Sequence, residues 1–311
     1  MDYPQELQRY FGADCLLAEP LAGHTTYRTG GPAEVFVYPK TAEDWNFVFT
    51  LAREYHIPLR VLGCGSNLLV SSRGVRGITC STRKMNQVDI TGNTVTAQAG
   101  ATLDKVCELT CKAGLGGMEK LSGIPGSIGG AVYMNAGAYG QETADCLTYF
   151  DVLTQEGKLV RLTQKEVQFS YRKVQGLPEG VILSATFTLV PSSPETLLSE
   201  RRSVQRSRVE KQPLEFPSAG SVFKRPEGDY ASRLIDVAGL RGLTVGGAKV
   251  SEKHAGFIIN FNHATPEDIK GLMELVQQKV QEKFGVKLEL EQILWGDFPT
   301  TFLAGADQQK N

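Results

Sequence analysis

Residues 123–140 read GIPGSIGGAVYMNAGAYG, with glycine at 123, 126, 129, 130, 137 and 140. A packed core has little use for so many missing side chains in one segment, whereas close approach of main chain to a flat or phosphorylated ligand needs them. A buried glycine-rich crossover is the other reading. Upstream, residues 59–70 read LRVLGCGSNLLV, so a strand runs directly into Gly63-Cys64-Gly65-Ser66-Asn67. Glycines there let main-chain N–H groups turn inward as an anion-binding nest, and Ser66 and Asn67 add donors. The dinucleotide fingerprint GxGxxG fails, because its sixth position is Leu68 and residues 68–77 (LLVSSRGVRG) do not read as a helix. A Walker loop fails for want of Gly-Lys-Ser/Thr. A phosphate held here would lack a helix dipole, and a tight strand-to-strand turn explains the loop equally well. YRTGG, residues 27–31, is a third such turn.

Working outward, residues 34–38 (EVFVY) predict a strand ended by Pro39, and Thr41 predicts an N-cap with Asp44 three residues on. Trp45, Val48, Phe49, Ala52 and Tyr55 follow at helical spacing, and IPLRVLG is a second strand, giving a β-α-β unit. Alternation in QVDI and NTVTAQAG around Thr91-Gly92-Asn93 predicts a hairpin. Thr102 caps a helix through Ala113, closed by Gly114. Strands are expected at LTYFDVLT, KLVRLT and VILSATFTLV, the first two joined by Gln155-Glu156-Gly157. Residues 191–195 (PSSPE) are the best linker candidate. The basic helical stretch beyond, with Arg201, Arg202, Arg206, Arg208 and Lys211, is expected to present mostly a solvated face. Thr265, Pro266 and Asp268 open a helix whose apolar stripe is Ile269, Leu272, Met273, Val276, Val280 and Phe284. VKLELEQIL (286–294) alternates as a strand, placing Glu289 and Glu291 on one face.

The chain has 311 residues, enough for two or three domains, and 33 Lys+Arg balance 34 Asp+Glu to a net charge of -1. No basic field exists to hold nucleic acid or an anionic membrane. The opening MDYPQELQRYFGADC lacks the apolar core of a signal peptide, and no apolar run approaches the roughly 18 residues of a membrane span. Six scattered cysteines without a CxxC pair indicate neither zinc site nor disulfide framework, and Cys107 and Cys111 read as small buried hydrophobes. A cytoplasmic protein is expected. His24, His56 and His263 have no metal-ligand spacing, and no metal is expected.

YRTGG, LGCGSNLLV, GIPGSIGGAVYMNAGAYG, PSAGSVFK, GGAKVSEKHAGFIIN and LELE occur in that order over residues 27–291. As a set they closely resemble the UDP-N-acetylenolpyruvoylglucosamine reductase family (UDP-N-acetylmuramate dehydrogenases), in its shorter type II form. The resemblance implies an α+β architecture with an FAD-binding fold of the vanillyl-alcohol-oxidase / p-cresol methylhydroxylase type. It implies FAD-binding subdomains over 1–62 and 63–190, with the tail 295–311 a candidate addition to the first, and a substrate-binding α+β domain over 196–294. It also implies non-covalent FAD, NADPH as reductant, and UDP-N-acetylglucosamine enolpyruvate as the molecule reduced in peptidoglycan precursor synthesis. No obligate protein partner is expected.

Reducing an enolpyruvyl ether needs hydride at the terminal methylene carbon, stabilisation of charge developing toward the carboxylate, and a proton for the carbon bearing the ether oxygen. By resemblance Ser221 donates that proton, Arg172 holds and polarises the carboxylate, and Glu291 is the active-site glutamate beside it. A carboxylate so placed has its pKa raised by the like charge. Without the resemblance these residues read as a loop serine, a surface arginine and a solvated carboxylate. The implied cofactor-binding residues are Tyr27, Gly63, Gly65, Ser66, Asn67, Leu68, Gly123, Ile124, Pro125, Gly126, Ser127, Gly129, Gly130 and Tyr139. Tyr139 could contact substrate as well, or equally be a core tyrosine. Arg208, Lys211, Lys224, Arg225 and His254 are candidates for the substrate's diphosphate or carboxylate. One departure stands out: the family often carries a cation two residues after its glutamate, where this chain has Ile293. A flavin oxidase or dehydrogenase of the same fold, acting on another small molecule, is the alternative reading.

Overall fold

The computed structural model describes residues 2–298. The described residues form two compact units, each assembled from separated segments: 2–18, 35–64 and 77–208 make the first, and 19–34, 65–76 and 209–298 the second.

A sheet that lies mostly in the first unit runs in the order Cys15–Pro20, Pro32–Val37, Val75–Ser81, Leu59–Leu62. Thr41 and Asp44 close a reciprocal capping box on the helix Ala42–Glu54, satisfying two of the orphan N–H donors at its start. That helix buries Trp45, Val48 and Phe49 with Val35, Val37, Ile78 and Cys80. Leu59–Leu62 pairs in parallel with Val75–Ser81, so the expected β-α-β unit has a strand inserted between its two strands. The second sheet of this unit is antiparallel, in the order Leu159–Leu162, Leu147–Thr154, Gly180–Thr188, Thr94–Gln98, Val88–Thr91. The predicted hairpin is present, with Thr91 opposite Thr94 across the Gly92-Asn93 turn. The helices Leu103–Lys112 and Ile128–Tyr133 pack Val106, Cys107, Ile128 and Val132 against Val95, Phe150 and Phe187.

Residues 191–195 are not a free linker. Val190–Pro191 pairs with Leu115–Gly116, and Pro194 opens the helix Pro194–Lys211. Leu197 and Arg208 of that helix are buried, and it stays with the first unit as far as Arg208. Burial of those two side chains therefore moves the boundary from the proline-serine stretch to the helix's last turn.

In the second unit, Thr244–Val245, Ala248–Val250 and Ile258–Asn260 form an antiparallel sheet. The helix Pro266–Phe284 begins at the predicted Thr265–Asp268 capping box and ends at Gly285 in the left-handed conformation. Its stripe Ile269, Leu272, Met273, Val276 and Val280 is buried with Tyr27, Leu69, Val222 and Ile258. The expected strand over 286–294 is regular only at Ile293–Trp295, which pairs in parallel with Leu68–Val70. Before it, Leu290 makes a single bridge to Phe223. Of the tail 295–311, residues 299–311 lie outside the described residues. Among the described residues no helix is long and apolar enough to cross a membrane.

Candidate active site

The second unit brings Ser221 and Glu291 onto neighbouring extended segments. Glu291 donates its main-chain N–H to Val222 O at 2.8 Å, and Lys224 donates its own to Glu289 O at 2.8 Å. These bonds straddle the Phe223–Leu290 bridge, so residues 221–224 run antiparallel beside 289–291. The two glutamates of LELE part company here. Glu289 is exposed, its carboxylate 3.4 Å from Lys224 Nζ, whereas Glu291 is half-buried. Lys224 therefore faces Glu289.

Asn67, the last residue of the nest motif, donates its amide to Glu291 O at 3.0 Å, and its carbonyl accepts Ile293 N–H at 2.9 Å. Gly65 has φ +64 and lies so near the turn at 24–25 that a Cβ would stand 2.1 Å from His24 O. Only glycine fits there, and the intimate neighbour is the chain's own backbone. The N–H groups of Gly65, Ser66 and Asn67 donate to no acceptor among the described residues. That leaves a run of donors for an anionic ligand such as the diphosphate of a dinucleotide. Leu68 is buried at the head of its strand.

Tyr27, expected among the cofactor-binding residues, turns its side chain into the unit's interior. Its ring is fully buried, and its hydroxyl donates to Gln292 Oε1 at 2.9 Å. Burial pushes the phenol's pKa up, more than the Gln292 hydrogen bond lowers it. His254 is also largely buried, which lowers its pKa below the ordinary imidazole range, and its Nδ1 accepts Gly256 N–H at 3.1 Å. It stands there as a neutral ring rather than a cation. Arg225 packs over Tyr230, its guanidinium carbon 4.5 Å from the ring centre, and Lys211 is exposed.

In the first unit, the loop 122–130 spends its N–H groups on protein. Ile124 N donates to Leu121 O, Gly126 N to Ile124 O, Ile128 N to Ala101 O and Gly129 N to Ala99 O. Ser127 caps the helix Ile128–Tyr133, its hydroxyl accepting from Gly130 N at 3.3 Å. A Cβ on Gly63 would meet that hydroxyl at 2.3 Å, so Gly63 packs on Ser127. Pro125 is exposed and Ile124 half-buried against the core. What this loop offers a ligand is a shaped surface more than free donors.

Asp104, which sequence reasoning left aside, and Arg208, a substrate-binding candidate, hold that loop. Asp104 accepts Gly123 N–H at 2.7 Å through Oδ1 and the Arg201 guanidinium at 2.8 Å through Oδ2. Arg208 donates Nε–H to Ser122 O at 2.8 Å, while its buried Nη2 has no hydrogen-bond partner. Burial lowers the pKa of Arg208 from the usual arginine value, although a guanidinium stays charged throughout the working range. An orphaned N–H on a buried cation asks for an acceptor, and an anionic ligand supplies one. Tyr139, with φ +52, is 41% exposed and stands 5.4 Å from the Arg208 guanidinium carbon. The core-tyrosine reading of Tyr139 is therefore set aside. Arg172, also at positive φ, donates to Asn135 O at 3.3 Å and Gly137 O at 2.9 Å, bracing the turn that carries Tyr139. Asn135 completes the brace: it is buried and bonds Glu142, Ser170 O and Ala144 N. Its αL backbone had a weak signal in the sequence, an asparagine within a glycine-rich turn.

The trio expected to act on one molecule thus falls as Arg172 in the first unit, Ser221 and Glu291 in the second. All six cysteines are free, and burial raises the thiol pKa of each, to about 12 at Cys146. Among the described residues no cluster of His, Cys, Asp or Glu could hold a metal ion.

Residues 33–163 match the FAD binding domain, and with the free donors at 65–67 they define a flavin-dependent oxidoreductase with an α+β FAD-binding fold. Residues 212–295 match the C-terminal domain of UDP-N-acetylenolpyruvoylglucosamine reductase. The chain is 45% identical to the enzyme of that name from Pediococcus pentosaceus over 281 residues, covering 90% of this chain and 93% of the relative. It is 43% identical to the Clostridium botulinum enzyme of that name over 284 residues, 91% of this chain and 92% of the relative. The crystal structure of the UDP-N-acetylenolpyruvylglucosamine reductase from Thermus caldophilus superposes with a TM-score of 0.78 at 36% identity, covering 91% of this chain and 98% of that one. The chain belongs to the UDP-N-acetylenolpyruvoylglucosamine reductase family.

Proposed function

We propose that the chain reduces UDP-N-acetylglucosamine enolpyruvate to UDP-N-acetylmuramate, with NADPH as the electron source and FAD as the carrier. The reaction is a step of peptidoglycan precursor synthesis for the cell wall, in the cytoplasm. The relatives' shared name supports the substrate, and the FAD binding domain supports the carrier. The observation that carries the reading is the alignment of the Ser221 segment beside Glu291, held by the Glu291 N–Val222 O bond.

When bound, FAD supplies hydride chemistry, which the protein's side chains cannot. Arg172 pairs with the enolpyruvyl carboxylate and draws developing charge toward it. Ser221 gives its hydroxyl proton to the carbon bearing the ether oxygen, and Glu291 flanks the same carboxylate. Arg208 meets an anionic group of the substrate through its unsatisfied Nη2, with Tyr139 beside it. Lys211, Lys224 and Arg225 contribute charge to diphosphate binding. His254, neutral in its buried setting, contributes at most a hydrogen bond.

The test is spectroscopic and anaerobic. The purified protein is expected to be yellow, to bleach with NADPH, and to regain its colour when UDP-N-acetylglucosamine enolpyruvate is added. The sugar nucleotide should then be two hydrogens heavier by mass spectrometry. A reduced flavin that persists in the presence of that substrate overturns the reading.

A further inference from the structure

Gln292 follows Glu291 directly and is buried. Its Nε2 donates to Ala219 O at 3.0 Å and to Gly220 O at 3.3 Å, the carbonyls of the two residues before Ser221. Both amide hydrogens are thereby committed, so Oε1 must face the other way, where Tyr27 OH lies 2.9 Å off. The phenol can only be the donor. Its ring is fully buried, and its own carbonyl accepts the Asn260 amide at 3.0 Å, while Asn260 Oδ1 accepts Ala264 N–H at 2.7 Å. Tyr27 is thus an anchored post rather than a mobile side chain.

The bonds of residues 291 and 292 fall on both sides of Ser221. The Gln292 amide takes the carbonyls at 219 and 220, and the Glu291 main chain takes the carbonyl at 222. Gly220 has φ +75 and open space where a Cβ would be, so no side-chain packing of its own steadies the loop. A serine hydroxyl sits one bond from Cβ, so its position is set by one torsion and by the main chain that carries it. Proton transfer to carbon tolerates little misplacement.

We propose that Tyr27 and Gln292 form a positioning pair: the buried amide, oriented by the phenol, holds the 219–221 turn at the height where Ser221 can reach the reacting carbon beside Glu291. The pair moves no proton of its own. The proposal rests on the reading of Ser221 as proton donor given above. It assigns Tyr27, the first residue of the YRTGG turn, a task in proton delivery, with its side chain fully buried.

The experiment uses the full-length, FAD-loaded protein carrying Gln292→Met, Tyr27→Phe, both together, or Ser221→Ala. NADPH-driven flavin reduction and substrate-driven reoxidation are followed separately by stopped flow. Gln292→Met should slow reoxidation about tenfold or more, change half-saturation by substrate less than about threefold, and leave flavin reduction within about twofold. The double variant should be no slower than the worse single one, because the two residues act as one unit. Hydrogen–deuterium exchange should rise in the peptide spanning residues 217–224 and stay unchanged in the helix Pro266–Phe284. If Gln292→Met does not fold, Tyr27→Phe removes a single oxygen and carries the same predictions at a few-fold size. A pair that only stabilises the fold would lower the melting temperature and slow both half-reactions alike; that result overturns the proposal. Slow reoxidation in Ser221→Ala with normal reoxidation in the pair variants also overturns it, and leaves Ser221 as donor. Normal reoxidation in Ser221→Ala removes the proton-donor reading itself.

Discussion

Arg208 donates its Nε–H to Ser122 O at 2.8 Å, yet its Nη2, on a side chain of a residue only 5% exposed, has no acceptor. A buried cation with an unmet donor costs folding free energy that ligand binding can return. Replacement by an apolar side chain of similar length then separates stability from function.

Arg208→Met should therefore leave the ligand-free protein within about 1 kcal/mol of its original stability, since the lost Ser122 bond is offset by the desolvation no longer incurred. The same change should raise the Michaelis constant for the sugar nucleotide about tenfold or more. Urea unfolding and steady-state kinetics check the two halves. A variant that loses several kcal/mol while binding substrate normally contradicts the assignment.

Asp104 holds both Gly123, 19 residues along the chain, and Arg201, 97 residues along it. Asp104→Asn keeps an oxygen for Gly123 N–H but sets an NH2 group against the guanidinium. Because the carboxylate is 39% exposed, screening limits the cost to about 1 kcal/mol, smaller again at high salt. Flavin retention through gel filtration should fall with it, as the loop that begins at Ser122 loosens.

How far the residues foretold the structure depended on range. The capping boxes at Thr41–Asp44 and Thr265–Asp268, the Gly92-Asn93 hairpin turn and the buried stripe of the helix Pro266–Phe284 all follow from spacing within a few residues. Local spacing carries no trace of partners far away, so Asp104 and Arg201, or Tyr27 and Gln292, could not be paired in advance. The basic helix shows the limit most clearly. Its charges read as mostly a solvated face, and Arg208, singled out there as a substrate-binding candidate, is buried, with its Nε–H on Ser122 O and its guanidinium carbon 5.4 Å from the Tyr139 ring. Likewise the glycines at 63, 65 and 129 were read as room for a ligand, and each also makes room for the chain itself. Ser221, Arg172 and Glu291 were nameable only through the motif order; composition and periodicity are silent on them.

Ser221→Ala should leave NADPH-driven flavin reduction unchanged and slow substrate-driven reoxidation at least about a hundredfold, roughly 2.7 kcal/mol in the barrier. Equal slowing of both half-reactions in stopped-flow traces contradicts a proton-donor role.

Burial holds the folded-state pKa of His254 below its ordinary value, with Arg241 adding to the shift. As pH falls through about 6.5, the unfolded chain gains a proton that the folded chain resists, so this component of stability is full above that pH and lost below it. Unfolding free energy measured between about pH 7 and 5 should decline more steeply in the parent chain than in His254→Gln.

Gly65→Ala combines a positive φ with a Cβ 2.1 Å from His24 O, a main-chain atom that cannot swing away. The expected cost is about 2 kcal/mol or more, with loss of flavin from the purified protein. Calorimetry and the visible spectrum read the two effects.

The parallel pairing of Ile293–Trp295 with Leu68–Val70 has a consequence for biogenesis. On the ribosome, residues 19–34 and 65–76 emerge early, but the partners that bury them lie beyond residue 209. Tyr27 and Leu69 must wait through most of translation with their apolar surface uncovered, and a nascent chain stalled before Gln292 has no way to shelter them. Premature termination shortly before Gln292 should accordingly yield aggregation and chaperone capture rather than a shortened but tractable protein.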